Sequence, residues 1–140
     1  MSNFNENLLI SAARIDGLIL DVDGVLTDGK ITYNNKGEES KNFHVRDGSS
    51  IKLLLKSGID IAILSGRNSQ SVERRAEELG ITKIVLGAES KLNGFQELRE
   101  KGFASQEILA IGDDLADLEL FSHPDISPVS YTHLTLPTKA

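Results

Sequence analysis

The sequence predicts an α/β fold, specifically a three-layer, Rossmann-like parallel sheet with one small β-hairpin insertion and no large cap domain. Three observations support it. The chain has 140 residues, enough for one domain with a single core. Apolar segments rich in Ile, Leu and Val alternate with amphipathic helical patterns, an order typical of parallel sheets with right-handed crossovers. One pair of short alternating segments interrupts this order and predicts the hairpin.

Short apolar segments followed by glycine, serine or acidic residues are typical of buried strands. We predict such strands at residues 15–22, 59–64, 83–86 and 107–111. After the first of them, residues 30–34 and 38–45 alternate between apolar and polar side chains around a turn signal, Asn35–Gly37. This pattern predicts a β-hairpin over about residues 30–45.

Three predicted helices begin at a residue that can cap them and end at or near a glycine. They run from Asp47 to Ser57, from Asn68 or Ser69 to Leu79, and from Ser90 to about Gly102. Apolar side chains recur within them at helical spacing, as at Leu92, Phe95 and Leu98. A short fourth helix is expected from Leu115 to Phe121.

The composition excludes several classes of protein. A net charge of -6 argues against a nucleic-acid partner. No apolar run approaches the roughly 20 residues of a membrane helix, and the N-terminus lacks the basic start of a secretory signal. The absence of cysteine excludes a disulfide framework and a thiolate metal site. We therefore expect a cytoplasmic domain that binds neither membrane nor nucleic acid.

The last 14 residues, 127–140, differ from the rest of the chain. They carry one charged residue, Lys139, and two of the three prolines, and no helical or strand period fits them well. We therefore expect a domain over residues 1–126 and a non-native or disordered tail over 127–140, with the native C-terminus missing.

Polar residues follow each predicted strand, at the edge of a parallel sheet where ligands bind. They are Asp21 and Asp23, then Ser65 and Arg67, then Lys91, and finally Asp113, Asp114 and Asp117. Each group alone also fits a structural role, such as a turn, a surface arginine, a solvated lysine or an acidic helix start. Because they come in order at successive strand ends, we expect them to converge.

Together these side chains provide the groups that phosphoryl transfer requires. Asp21 and Asp23 repel each other unless a cation lies between them or one is protonated, and Mg²⁺ prefers such oxygen ligands. Asp21 is then a candidate nucleophile, Asp23 a candidate acid and base, and Asp113 a candidate metal ligand beside Asp21. Ser65 and Lys91 are candidates to bind the phosphoryl oxygens.

Four segments, DVDGVLTDG, LSGR, the isolated Lys91 and GDDLADL, resemble the motifs of the haloacid dehalogenase superfamily of phosphatases, in the family's order. Within it, DGVLTDGKITYNNKGEESKNFHVRDGSSIKLL and SGRNSQSVERRAEELGI are most similar to phosphatases of 3-deoxy-D-manno-octulosonate (KDO) 8-phosphate, which serve lipopolysaccharide biosynthesis. The resemblance covers roughly residues 10–126. It implies Mg²⁺-dependent hydrolysis of a sugar-acid phosphate through an aspartyl-phosphate.

The resemblance also implies residue roles. Asp21 would be nucleophile and metal ligand, and Asp23 would be acid and base and give its backbone carbonyl to Mg²⁺. Asp113 would be the third protein ligand, supported by Asp114 or Asp117. The phosphate would be bound by Ser65, Gly66 and Lys91. The matching positions near the sugar acid are Thr27, Arg46, Asp47, Gly48, Arg67 and Arg75.

In the family the hairpin is used for tetramer formation, so the resemblance implies a homotetramer in which neighbouring subunits help to close the site. Two other functions remain open. The first is a related specificity, either a nonulosonate 9-phosphate phosphatase or a phosphatase-like domain of a sialic-acid-activating enzyme. The second is a non-catalytic, receiver-like module, because receivers also carry clustered acids on a parallel sheet.

Overall fold

The computed structural model describes residues 14–112 and 117–130, and its central feature is a five-stranded parallel sheet in the order β5-β4-β1-β6-β7. The strands are β1 (Gly17–Leu20), β2 (Thr32–Tyr33), β3 (Glu39–Ser40), β4 (Asp60–Leu64), β5 (Lys83–Val85), β6 (Ile108–Gly112) and β7 (Ile126–Ser130). The helices are α1 (Val45–Lys56), α2 (Gln70–Leu79), α3 (Lys91–Glu100) and α4 (Asp117–Phe121). All four predicted apolar strands therefore form.

The sheet is buried on both faces, which confirms the predicted three layers. Side chains alternate along β1, so Leu18 and Leu20 face one way and Ile19 faces the other. The first face packs against α1 and α2, and the second packs against α3 and α4. Continuous apolar segments correctly indicated the strands of this sheet, because a strand that is covered on both faces has no polar side.

Two of the three predicted caps are confirmed. The side chain of Ser69 accepts a hydrogen bond from the Val72 amide at the start of α2, and Ser90 caps α3 in the same way. The predicted cap Asp47 is wrong, because α1 begins at Val45 and His44 caps it. The His44 Nδ1 accepts from the Arg46 amide at 3.1 Å, and Asp47 lies in the first turn, where the helix dipole favours an acid.

The predicted hairpin forms with shorter strands than its pattern indicated. Strands β2 and β3 pair antiparallel over two residues each, with Tyr33 opposite Glu39. The Asn34 side chain closes the turn by accepting from the amides of Lys36 and Glu38 at 2.9 and 3.0 Å. A single bridge between Thr27 and Phe43 connects the base of the hairpin to the loop after β1.

Strand β7 extends past the expected domain limit at residue 126. Its residues pair in parallel with β6, from Ile126 beside Ile108 to Ser130 beside Gly112. The pattern missed this strand because two serines and Pro128 interrupt its apolar residues. Proline is tolerated at a sheet edge, where one missing N–H disturbs no second neighbour. Residues 131–140 lie outside the described part of the chain.

Within residues 14–112 and 117–130, the longest helices are far too short and too polar to cross a bilayer. The predicted helix over 115–121 is described from Asp117 onward.

Gly94 lets α3 approach the sheet closely, because a β-carbon there would collide with Leu64 on β4 and lie 3.1 Å from Ala88. We expect Gly94→Ala to lower the free energy of unfolding by about 1–3 kcal/mol through overpacking, although alanine is the better helix former. The matched control is Gln96→Ala, at an exposed position of α3, which should stay within about 0.5 kcal/mol of the parent. Urea unfolding measures both, and a stabilised Gly94→Ala would contradict the close packing.

Candidate active site

Asp21 lies at the carboxyl end of β1, the central strand of the sheet. Its amide donates to the Ile111 carbonyl on β6 at 3.0 Å, which fixes the backbone beside the neighbouring strand. Its Oδ1 accepts from the Val22 amide at 2.8 Å and from the Lys91 ammonium at 3.1 Å. Two donors therefore hold the same oxygen of this carboxylate, and only 12% of the side chain is exposed.

Lys91 is the first residue of α3, and its side chain is 7% exposed. Its ammonium donates to Asp21 and, at 2.9 Å, to the carbonyl of Leu64 at the end of β4. A cation in the first turn of a helix is disfavoured by the helix dipole, and a buried one also loses its hydration. The carboxylate and the carbonyl offset both costs, so this lysine is held where two strand ends meet.

Ser65 follows β4 directly and is 3% exposed. Its amide donates to Val85 on β5, and its carbonyl accepts from Ala88, so the loop is held to its neighbour. Its hydroxyl accepts from the Arg67 amide at 3.2 Å. Because Ser65 adjoins the carbonyl that binds Lys91, the hydroxyl and the ammonium share one edge of the sheet with Asp21. Gly66, between Ser65 and Arg67, is exposed.

Asp23 contacts the hairpin. Its Oδ1 lies 2.7 Å from the Lys41 ammonium, and its Oδ2 lies 3.7 Å from Nε of Arg67. Glu39 completes the group, with one oxygen 2.6 Å from the Arg67 guanidinium and the other 3.1 Å from the Lys41 ammonium. The Arg67 guanidinium also donates to the Tyr33 hydroxyl at 3.5 Å. We call Asp23, Glu39, Lys41 and Arg67 the hairpin charge network.

Contacts within the network shift the pKa values of Glu39, Lys41 and Arg67. The Arg67 guanidinium, followed by the Lys41 ammonium, holds the pKa of Glu39 below its usual value. Burial opposes the charge on Lys41, but Asp23 and Glu39 outweigh it and raise the pKa of Lys41. Tyr33 and Glu39 raise the pKa of Arg67. All three side chains are therefore charged at neutral pH.

Sequence reasoning missed Glu39 and Lys41. Their signal lay in the segment GEESK, where an acid and a base are two residues apart and therefore face the same side of a strand. That spacing indicates a shared face, but only the fold shows that the face meets Asp23.

The other predicted sugar-acid positions lie on the loop after β1, on α1 and on α2. The Thr27 hydroxyl accepts from the Gly29 amide at 3.1 Å and shapes the loop after β1. Thr27 and Asp47 line one surface pocket together with Phe43, and Arg46 is exposed. The Arg75 guanidinium lies 6.0 Å from the centre of the Phe43 ring.

Gly48 is buried beneath Arg75, since a β-carbon there would collide with the guanidinium. Arg75 also contacts Glu78 at 3.4 Å. In this chain Arg67 joins the hairpin charge network with Asp23, whereas Arg75 packs across α1.

Among the described residues, the oxygen atoms at the end of β1 suit a hard divalent cation. Asp21 offers a buried carboxylate, and the Asp23 carbonyl accepts no backbone hydrogen bond from the described loops. The predicted third ligand, Asp113, and its neighbour Asp114 lie outside the described residues, as does the side chain of Asp117. Within the described residues no group of three acidic or histidine side chains gathers around one point.

The strand order separates this chain from receiver modules. Numbered along the chain without the hairpin, the sheet has the order 3-2-1-4-5, whereas receivers have the flavodoxin-like order 2-1-3-4-5. In the present order β4 and β5 lie on one side of β1, and β6 and β7 lie on the other. The strand order therefore changes direction at β1, and Asp21 and Asp23 lie at this switch point, where α/β sheets bind ligands.

The chain is similar to several known proteins in sequence and in structure. No protein-family model matches the chain. The 3-deoxy-D-manno-octulosonate 8-phosphate phosphatase of Escherichia coli K12 is 46% identical over 112 residues, which cover 79% of this chain and 60% of that protein. The chain thus spans about three-fifths of the length of the curated relatives it matches.

Two crystal structures of phosphatases with the same name are also similar. The enzyme from Yersinia pestis is 41% identical with a TM-score of 0.82, covering 95% of this chain and 74% of that one. The enzyme from Moraxella catarrhalis, in complex with magnesium, phosphate and KDO, is 42% identical with a TM-score of 0.77, covering 84% and 68%. The chain therefore belongs to the haloacid dehalogenase superfamily and, within it, to the family of 3-deoxy-D-manno-octulosonate 8-phosphate phosphatases.

The position of Lys91 predicts that it binds phosphate. We expect Lys91→Met to weaken the binding of inorganic phosphate at least 10-fold, because a charge-assisted hydrogen bond contributes about 1.5–3 kcal/mol. The matched control is Lys83→Met, which removes a lysine paired with Asp60 at 3.0 Å at the opposite, amino-terminal edge of the sheet. Isothermal titration with phosphate measures both, and equal losses in the two variants would contradict the assignment.

Proposed function

We propose that the chain is a Mg²⁺-dependent phosphomonoester hydrolase that converts KDO 8-phosphate to KDO and inorganic phosphate. The observation that carries the proposal is the buried Asp21–Lys91 pair at the end of the central strand, with Asp23 two residues further on. A carboxylate oriented by an ammonium, next to a second carboxylate, provides a nucleophile and a proton donor for one phosphoryl group.

In the first half-reaction, a carboxylate oxygen of Asp21 attacks the phosphorus and forms an acyl-phosphate bond. The bond between the phosphorus and the sugar oxygen breaks, and its electron pair stays on that oxygen. Asp23, protonated at this stage, transfers its proton to the same oxygen, so the sugar acid leaves as an alcohol.

In the second half-reaction, Asp23 accepts a proton from a water molecule whose oxygen attacks the phosphorus. The acyl-phosphate bond breaks, inorganic phosphate leaves, and Asp21 is again a carboxylate. Asp23 has then regained the proton that it gave to the sugar, so the cycle closes.

Lys91 and Ser65 would stabilise the charge that develops on the phosphoryl oxygens. Both are already fixed, Lys91 by the Leu64 carbonyl and Ser65 by Val85, so little reorganisation is needed when the phosphate binds. Mg²⁺ would be held by the Asp21 carboxylate, the Asp23 carbonyl and Asp113. When bound, it would supply positive charge that lowers the repulsion between the nucleophile and the phosphoryl group.

The sugar acid brings a carboxylate as well as a phosphate. Arg67, whose side chain is 42% exposed beside Asp23, is placed to pair with that carboxylate. The KDO bound in the Moraxella catarrhalis enzyme supports the choice of this substrate over nonulosonate 9-phosphates.

A substrate panel tests the proposal. We expect Mg²⁺-dependent phosphate release from KDO 8-phosphate to exceed that from nonulosonate 9-phosphates and simple sugar phosphates. Asp21→Asn should abolish turnover, because the amide cannot form the acyl-phosphate; it also removes the charge partner of Lys91, so circular dichroism at the assay temperature must show that the variant is folded. Faster release from a nonulosonate 9-phosphate would transfer the assignment to that substrate. A folded, Mg²⁺-binding protein that hydrolyses no ester would refute the activity.

We also propose a homotetramer through the hairpin. Ile31 and Tyr33 on the hairpin and Val45 beside it are 44%, 59% and 77% exposed, and an open site without a cap needs cover to exclude water. Light scattering should give four times the monomer mass. Ile31→Lys should lower that mass, whereas Leu118→Lys, at a similarly exposed residue of α4, should not. A monomer at working concentration would contradict the proposal.

A further inference from the structure

Lys41 is the most deeply buried cation of the hairpin charge network, with 1% of its side chain exposed. Its ammonium contacts two carboxylates, Asp23 at 2.7 Å and Glu39 at 3.1 Å. A buried ammonium is tolerated only when such partners offset its lost hydration. Its position is therefore determined by both carboxylates together, and each carboxylate is in turn fixed by it.

We propose that Lys41 is a positioning residue for Asp23, which makes the hairpin part of the proton-transfer apparatus as well as a cover. The inference rests on the proposed function, since it concerns the proton that Asp23 would give to the leaving oxygen. Lys41 donates to Oδ1 of Asp23 at 2.7 Å, and Oδ2 of the same group lies 3.7 Å from Nε of Arg67. Lys41 and Arg67 thus fix the orientation of the Asp23 side chain, and Lys41 makes the shorter of the two contacts.

Glu39 connects Asp23, the proposed proton donor, to Arg67, the residue proposed to bind the carboxylate of the sugar acid. One of its oxygens lies beside the Lys41 ammonium, and the other lies 2.6 Å from the Arg67 guanidinium. Glu39 Oε1 is excluded from water and has no well-directed hydrogen bond from the described residues, so the nearby ammonium is what balances its charge. The orientation of Asp23 and that of Arg67 therefore depend on the same hairpin strand.

Two substrates with different leaving groups can distinguish a positioning role of Lys41 from a merely structural one. An alkyl phosphate such as KDO 8-phosphate expels an oxygen that must be protonated, whereas p-nitrophenyl phosphate expels a stable phenolate. The ratio kcat/KM is the right measure, because it includes only the steps up to release of the leaving group. It therefore leaves out the second half-reaction, in which Asp23 acts as a base on both substrates alike.

We expect Lys41→Met, which keeps the buried aliphatic stem, to reduce kcat/KM for KDO 8-phosphate at least 10-fold more than for p-nitrophenyl phosphate. Asp23→Asn is the benchmark, with a selective loss of about 10²–10⁴-fold on the alkyl ester. Lys41→Arg should recover part of the loss, because it restores a charged donor. Lys36→Met, at an exposed lysine of the hairpin turn, should leave both esters unaffected.

Equal losses on the two esters, or no loss on either, would overturn the positioning role. If Lys41→Met does not fold, as judged by its melting curve, Lys41→Gln replaces it with a neutral, shorter side chain and the same selective loss is expected. Failure of the proposed function gives a different result, because the parent protein would then hydrolyse neither ester in the presence of Mg²⁺.

Discussion

The ammonium of Lys91 joins three elements of the fold, and the candidate site depends on this one interaction. It connects the carboxylate that follows β1, the last carbonyl of β4 and the first turn of α3. Removing one partner of such a buried pair typically costs about 3–5 kcal/mol, because the remaining charge is left without compensation. The Asp21 carboxylate is therefore stabilised by the assembled sheet, and the end of the sheet is stabilised by the pair.

Much of this arrangement follows from local sequence. The segments around Ile61 and Leu109 indicate buried strands by themselves, and parallel strands carry their carboxyl ends to one edge. The meeting of Asp21, Ser65 and Lys91 was therefore predictable although 70 residues separate the first from the last. The details that failed depend on weaker local signals. A histidine cap replaced the more common aspartate, and an edge strand with polar residues and a proline showed no strand period.

The hairpin contacts could not be predicted from the sequence, for a different reason. Alternation places Glu39 and Lys41 on one face, but the direction of that face is set by the bridge between Thr27 and Phe43. The two candidate arginines illustrate the same limit. The sequence marked Arg67 and Arg75 alike, whereas the fold places one beside Asp23 and packs the other over Gly48, where a β-carbon would have to displace the guanidinium.

A hairpin of two-residue strands cannot be stable by itself, so its order must come from its contacts with the sheet. The described site contains three carboxylates, Asp21, Asp23 and Glu39, and three cations, Lys41, Arg67 and Lys91. Counted as ionised groups they carry no net charge, and the two least exposed of them, Lys41 and Lys91, each contact a carboxylate. A phosphate ester that enters adds about two negative charges, more than the single proton that Asp23 would carry in the proposed first half-reaction can offset. Each described cation already contacts a carboxylate, so a divalent ion at Asp21 would supply positive charge beyond what Lys91 and Arg67 can offer the substrate.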